Sequence, residues 1–386
     1  MIKTYALRAW NALASLQLTI ILLSLLMALV LLCTLAQVEM GTFGAVAVYM
    51  RSFLVWWRPQ GLPFPLPVFP GGTLVGMVLA ANLTAALVKR FDFSFGKVGL
   101  WIVHAGLILL VVGEFATGAF QVDTRMSIEE GQTANYLENL REMELAITDV
   151  SDPSREVGVS IPESVLARSG SIPVPGTPLT IQVKHFFKNA QLGPRDPADP
   201  PSQATAGVGA NVKIREAEPV SSDNEMNQTS ALIEPVAGGR SYGTWLVSQA
   251  LGAPQSFTHE GRTYQLAMRH RRQYLPYAVT LKKFSHDKYA GTDIPKNFSS
   301  LVHLSNPRTG EARDVLISMN QPMRYDGKAF YQASFGKGDT LSILQVVSNP
   351  GWLLPYISCV LVTIGLLIHF GITLRKNMKR RQEQEG

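Results

Sequence analysis

The stretch VGLWIVHAGLILLVVGEFATGAF (Val98–Phe120) decides how the rest of the chain is read. A bilayer crossing needs about 20 apolar residues, and this stretch supplies them while carrying His104 and Glu114 inside it. Three further stretches meet or approach the same length. LQLTIILLSLLMALVLLCTLA (16–36) exceeds a signal-peptide core, which runs to about 15 residues, so it is expected to be retained. A shorter span, about 72–88, follows the Pro-rich PFPLPVFPGG and contains Asn82. A fourth, about 352–374, contains His369. The expected fold is a membrane protein with four transmembrane α-helices and a large extracytoplasmic β-rich domain between helices 3 and 4. Its parts are a membrane region (1–120), the β-rich domain (121–351), and the last span with a basic tail (352–386).

Composition agrees with such a mixture. The 386 residues are 46% hydrophobic and 17% charged, against about 25% charged in soluble domains, and the mean hydropathy is +0.11. The net charge of +6 is unevenly placed. Residues 121–351 hold 23 Lys and Arg against 24 Asp and Glu, a balance of −1, and the remainder holds 12 against 5, a balance of +7. A nucleic-acid binder concentrates its basic residues on the folded domain, so no nucleic acid is expected as a partner. The surplus instead marks topology. Lys3 and Arg8, then Lys89, Arg90 and Lys97, then Arg375, Lys376, Lys379, Arg380 and Arg381 fall on one side of a four-span chain. Both termini are therefore expected in the cytoplasm of a multi-pass plasma (inner) membrane protein. The first outer loop, 38–71, holds only Arg51 and Arg58. Two cysteines exclude a disulfide scaffold or a Cys-based zinc ribbon. Cys33 and Cys359 each read as a buried free thiol.

The segment 121–351 reads as β. MELAITDV (143–150), LTIQVKHFF (179–187), TYQLAMRH (263–270), YAVTLKKFSH (277–286), SLVHLSN (300–306), DVLISMN (314–320), AFYQASF (329–335) and LSILQVVS (341–348) have strand composition, with turn signals between them. A sandwich or irregular barrel is expected. A loop or insertion is expected near 189–229, and a short helix over SYGTWLVSQAL (241–251). His185, His259, His270, His286 and His303 are scattered without paired metal spacing. Arg269-His270-Arg271-Arg272 reads as a solvated loop, or as a contact for a phosphate or propionate. No catalytic residues are expected: there is no phosphate loop, no GxSxG and no CxxC.

Ionisable residues inside spans are functional candidates by default. His104 falls roughly 9 Å from the cytoplasmic end of its span, and His369 roughly 7–8 Å from the same end of its own. The two imidazoles are thus expected at similar depth. Neutral imidazole ligates haem iron, and Ala105 and Gly106 beside His104 would let a flat macrocycle approach. A histidine that merely bonds a neighbouring carbonyl or reaches headgroup water is the alternative for both. Glu114 reads as an interfacial carboxylate or a proton or quinol group. It lies ten residues from His104, roughly 15 Å along a helix, which counts against a shared quinone site. Gly72, Gly76 and Ala80 form small-xxx-small patterns that suit a partner helix.

The chain resembles the ResB (CcsB) family of System II cytochrome c biogenesis. The resemblance is carried by Trp10-Asn11 with the first span, by GLWIVHAGLILLVVGEF (99–115), by MSIEEGQTANY (126–136), and most specifically by 277–335. That last block has a Tyr-x-Gly-Thr-x-x-Pro turn, a Phe-Ser-Ser strand, an Asn-x-Pro turn and a Tyr-Gln-Ala-Ser strand. The resemblance implies a non-catalytic partner subunit of a haem lyase or synthase complex. It would bind and transfer haem across the membrane and help present apocytochrome c for haem attachment. Its expected partners are a ResC/CcsA-like membrane protein with a WWD motif, apocytochrome c, haem and membrane lipids. The WWD signature belongs to that partner; here Trp56-Trp57 is followed by Arg58-Pro59. The family's third-span histidine corresponds to His104, an axial ligand of a haem b and so a metal ligand through its iron. The second ligand is expected from the partner, with His369 a lesser candidate. A non-haem membrane assembly scaffold or envelope sensor is the alternative.

Overall fold

The computed structural model describes residues 2–57, 59, 62–89, 94–152, 155–196, 198–220, 226–289, 291 and 295–385. Arg58, Arg90, the Lys3 side chain and most of the Tyr-x-Gly-Thr-x-x-Pro turn (290 and 292–294) lie outside the described residues. Helices gather in one unit, built mainly of residues 1–122 and 348–386. Strands gather in another, built of 123–220 and 225–347.

The helical unit opens with α1 (Ile2–Leu13) and α2 (Leu16–Ala45). Ser15 separates them and caps α2, its Oγ accepting from the Leu18 N–H at 3.2 Å. A broken helix leaves carbonyls unpaired. Asn82, fully buried in α3 (Gly72–Lys89), meets them: its Nδ2 donates to the Leu13 carbonyl at 2.6 Å and the Ser15 carbonyl at 3.1 Å. Its Oδ1 accepts from Thr19 Oγ1 at 2.6 Å. The polar residue inside this apolar span is therefore the seal of the α1–α2 break.

The α2 helix runs past Ala36 because its chain stays helical up to Gly41, which adopts φ 69° and ψ 170°. Only glycine takes that conformation without strain. A π-helical turn (Val46–Met50) then packs back on α2. The hairpin β1 (Leu54–Trp57) and β2 (Leu66–Pro70) leads into α3. Next come α4 (Val98–Phe120) and, at the end of the chain, a helix over Leu354–Glu385. Among the described residues, four segments of this unit are long and apolar enough to cross a membrane: Leu16–Met50, Gly72–Lys89, Phe95–Phe120 and Leu354–Gln384.

The β-rich unit follows α4 in chain order. It contains β3 (Val122–Glu129), β4 (Thr133–Asp152), β5 (Arg155–Pro162), the one-turn α5 (Glu163–Leu166), β6 (Gly170–Pro173), β7 (Leu179–Phe187), β8 (Ala190–Pro194) and β9 (Val212–Glu216). Then come β10 (Ser230–Ala237), β11 (Arg240–Ser241), β12 (Trp245–Ser248), β13 (Gln255–His259), β14 (Arg262–Lys288) and β15 (Pro295–Asn306). The unit closes with β16 (Glu311–Ser318), β17 (Met323–Tyr325), β18 (Lys328–Gly336) and β19 (Leu341–Ser348), before α6 (Leu354–Glu385).

Two cores share two long strands. The sheet β11-β10-β7-β6, with β12 on β10, packs against the halves of β4 and β14 that carry Leu145, Ile147, Tyr264 and Leu266. The other halves belong to the order β16-β15-β14-β4-β3-β19-β18-β17, which curls until β16 packs beside β17 and β18. Its interior holds Met126, Leu137, Tyr277, Leu281, Val302, Phe330 and Leu344. The β4–β14 ladder shifts register between His270 and Arg271 and again between Tyr274 and Val279, where it passes from one core to the other. Such bulges sharpen local twist.

One segment differs from the sequence reading, and the expected loop or insertion near 189–229 has structure of its own. The segment 241–251 is strand β12 followed by a 3₁₀ turn (Gln249–Leu251), not a helix, because Trp245–Ser248 pairs with Ser230–Ile233 and is buried. Inside 189–229, β8 and β9 form a two-stranded sheet. Its Leu192, Val212 and Ile214 pack on a small core of Phe187, Ala190, Ala204, Leu232 and Leu246.

Candidate functional site

His104 sits on α4, and its Nδ1 lies 2.7 Å from the carbonyl oxygen of Leu100, one turn earlier. A carbonyl accepts, so the proton is on Nδ1 and the lone pair is on Nε2, the arrangement usual for a metal-ligating imidazole. The same ring thus satisfies the local carbonyl reading and keeps a ligating nitrogen.

The face that His104 occupies follows from the glycines. A Cβ on Gly99 would lie 2.5 Å from the Gly365 carbonyl oxygen and 2.5 Å from the His369 nitrogen. One on Gly106 would lie 2.8 Å from Val362 Cγ2, and one on Gly113 3.0 Å from Leu354 Cβ. Gly99, Gly106 and Gly113 are all buried. Their seven-residue spacing makes a seam along which α4 and α6 run antiparallel in close contact. His104 lies five residues after Gly99, roughly 140° round the helix, and so faces away from α6. It shares its face with Phe115, whose ring covers Gly76 of α3.

This packing corrects three expectations. Gly106 is not open to a flat ligand, because Val362 fills the space beside it. His369 is not level with His104: it packs across Gly99, which places it about 8–10 Å nearer the α4 start along the axis. The helix does not end at residue 374, from which that depth follows, but continues to Glu385. The small residues of α3 pack within the chain, Gly72 against the Met50 backbone and Gly76 against Phe115. His369 Nδ1 is buried without a hydrogen-bond partner. Glu114 is exposed on α4. Cys33 is buried, while Cys359 is exposed rather than buried, and both are free thiols.

The histidines of the β-rich unit have local partners. His259 Nδ1 meets the Tyr242 hydroxyl, His286 Nδ1 meets Asp339 at 3.1 Å, and His303 Nδ1 meets Asp314 at 2.7 Å. His185 stacks near Phe187, with ring centres 4.3 Å apart. No group of three or more His, Cys, Asp or Glu able to hold a metal occurs among the described residues.

Arg269-His270-Arg271-Arg272 is not a loop. It is the part of β14 that crosses between the two cores, and its arginines are paired across the strands with β4. Arg269 Nε donates to Glu144 at 3.0 Å, Arg271 to Glu142 at 2.6 Å, and Arg272 lies 3.4 Å from Glu138. Arg272 also sits 4.0 Å over the Tyr136 ring. Neutralised in this way, the run is not a ready anion site.

His270, buried between these arginines, has Gln249 Nε2 2.9 Å from its Nε2. Burial pulls its pKa below the usual 6.5, opposed in part by Glu138. The folded state therefore resists protonation, and the unfolded chain binds the extra proton first. Its contribution is complete above pH 6.5 and is lost as pH falls through the depressed value. Thermal unfolding between pH 7 and 5 should show a loss of stability that His270→Gln flattens. An equal slope in both proteins would refute this assignment.

Two of the family-like strands also come together. Ser300 of the Phe-Ser-Ser strand donates to Gln332 Oε1 at 2.6 Å, and Gln332 Nε2 donates to the Ser334 carbonyl at 3.0 Å within Tyr-Gln-Ala-Ser. This buried network is satisfied internally. Asn320 of the Asn-x-Pro turn has φ 65°, a conformation asparagine tolerates.

Residues 231–343 match the model of the ResB-like family. Over this segment the chain is ResB-like. The ResB-like segment runs from β10 into β19 and includes the arginine ladder and the Ser300–Gln332 network; His104 and His369 lie outside it. A stretch of 93 residues is 32% identical to Protein NrfI of Wolinella succinogenes. That alignment covers 24% of this chain and 10% of the relative, so the chain matches only about a tenth of that protein's length.

Proposed function

We propose that this ResB-like chain is a subunit of a System II cytochrome c biogenesis complex. It crosses the plasma (inner) membrane four times, with both termini in the cytoplasm and the β-rich unit outside. The match over residues 231–343 carries the reading. Its partner is a ResC/CcsA-like membrane protein with the WWD motif, and apocytochrome c is the recipient of the haem. Basic residues at one end of the spans support the orientation.

His104 fits a haem b ligand, since its Nδ1 is held by Leu100 and its Nε2 is left for iron. Haem would be the cargo that is carried and then attached to the apocytochrome. The chain holds the imidazole in one tautomer and keeps its face clear of α6, and a partner helix would supply any further ligand. His369, turned into the α4–α6 seam, fits an axial role poorly. No residue on this chain is assigned a catalytic step, which makes the subunit a carrier and presenter.

The complex carrying His104→Ala, co-expressed with its partner and purified, should lose most of its Soret absorbance while both subunits still co-purify. Unchanged haem content and spectrum would remove the ligand role and favour a non-haem scaffold.

A further inference from the structure

We propose that the β1–β2 hairpin is an interfacial anchor: its Trp56 and Trp57 lie in the headgroup boundary of the outer leaflet, resting on the four-span reading above. One side of the hairpin is fixed to the helices. Val55 is buried and Phe69 is partly buried against Leu22, Val75 and Leu79 of α2 and α3. At its base the Gly71 N–H donates to the Phe53 carbonyl at 2.8 Å, and a Cβ on Gly71 would lie 2.2 Å from the Ser52 carbonyl oxygen. The rest of the hairpin is open and apolar: Trp56 is 54% and Trp57 58% exposed, and Phe53, Phe64 and Val68 are exposed as well.

The packing of the helices says at which end this surface lies. Gly76 of α3 is covered by Phe115, near the end of α4. Gly113 of α4 meets Leu354 at the start of α6, and Asn349 Nδ2 reaches Thr117 Oγ1 at 3.2 Å. The starts of α3 and α6 and the end of α4 thus share one end of the helical unit, and the hairpin is joined to it. At that end Trp352 and Tyr356 are also exposed, ring centres 6.0 Å apart. The opposite end carries Lys89, Lys97 and Lys376, the last with its amine beside Gly96. The hairpin end gathers Trp56, Trp57, Trp352 and Tyr356, whereas the other end mixes these lysines with exposed Tyr5, Trp10 and Phe95.

Chemistry then fixes the occupant. Trp and Tyr concentrate at the membrane–water boundary, where an apolar ring and a polar N–H or O–H are both satisfied. A two-stranded hairpin has unpaired backbone groups on its outer edges, and these cannot enter hydrocarbon. An apolar, aromatic surface with open edges beside spanning helices suits the headgroup layer.

The test uses the full chain in phosphatidylcholine nanodiscs, with lipids brominated either near the glycerol or deep in the acyl chain. The Trp56 and Trp57 signal is the emission of wild type minus that of W56F/W57F, with retained elution and helical circular dichroism as the check on folding. The expected signal is quenched several-fold more by shallow than by deep bromines and is little affected by aqueous iodide. Quenching by iodide with no response to either bromine overturns the anchor, as does shielding that appears only when a partner protein is added. The W101F difference reports the spanning reading separately. If Trp101 emission also ignores both bromines, α4 does not cross the bilayer and that reading fails. If Trp101 responds and Trp56 and Trp57 do not, only the anchor fails.

Discussion

Replacing Arg269 by alanine is expected to destabilise the β-rich unit by about 3–5 kcal/mol, the range seen when one partner of a buried ion pair is removed. Glu144 is only 2% exposed, and Arg269 is its charged partner at 3.0 Å. With the guanidinium gone, a carboxylate must stay charged where water does not reach it or take up a proton. The neighbouring pair supplies the contrast. Arg271 and Glu142 are 2.6 Å apart but 52% and 45% exposed, so Arg271→Ala should change stability by no more than about 1 kcal/mol. Urea unfolding of the purified protein, followed by tryptophan emission, measures both. Equal small losses would show that Glu144 is solvated in the folded state.

Gly99→Val is the second large effect. Its Cβ would fall 2.5 Å from two backbone atoms of α6, which cannot rotate away as a side chain can. The helices must separate, and contacts at Gly106 and Gly113 loosen with them. Overpacking costs typically about 1–3 kcal/mol, and a clash with backbone on both sides belongs at the upper end or beyond. The variant should be depleted severalfold from the membrane fraction and should unfold earlier in detergent. Gly118→Ala is the control on the same helix: nothing lies within 4 Å of its Cβ position, so it should be neutral or slightly stabilising. Matching behaviour of the two variants would refute the seam.

The four long apolar helices and most strands were legible because length and alternation are local properties. The helical seam was not, although its glycines are plain in the sequence. Small residues four apart drew attention in α3, while the antiparallel contact of α4 with α6 uses a seven-residue period. The basic run was misread for a different reason. Four polar residues in a row suggest solvent, and the carboxylates that pair with them lie more than 120 residues earlier in β4. The short helix expected over 241–251 failed because burial against β10 overrode local preference. For the candidate site, the sequence reading proposed His104 and put His369 at a similar depth, since span ends do not reveal where two helices are in register.

The sharing of β4 and β14 between two cores bears on how the chain is made. β4 ends at Asp152 and its long neighbour begins at Arg262, 110 residues later. During synthesis β4 emerges early and stays without that neighbour until β14 follows it. Both cores wait on that distant pairing, the kind that forms slowly, but the first needs residues only up to Met268 and the second also needs Val302 to Val346, so the first can close earlier. The last helix is made only after β19, which leads directly toward it. A ribosome stalled before residue 262 would therefore hold a chain whose early helices are complete and whose β-rich unit still lacks the strand that both cores share. Such a nascent chain should be open to proteases and chaperones throughout that interval.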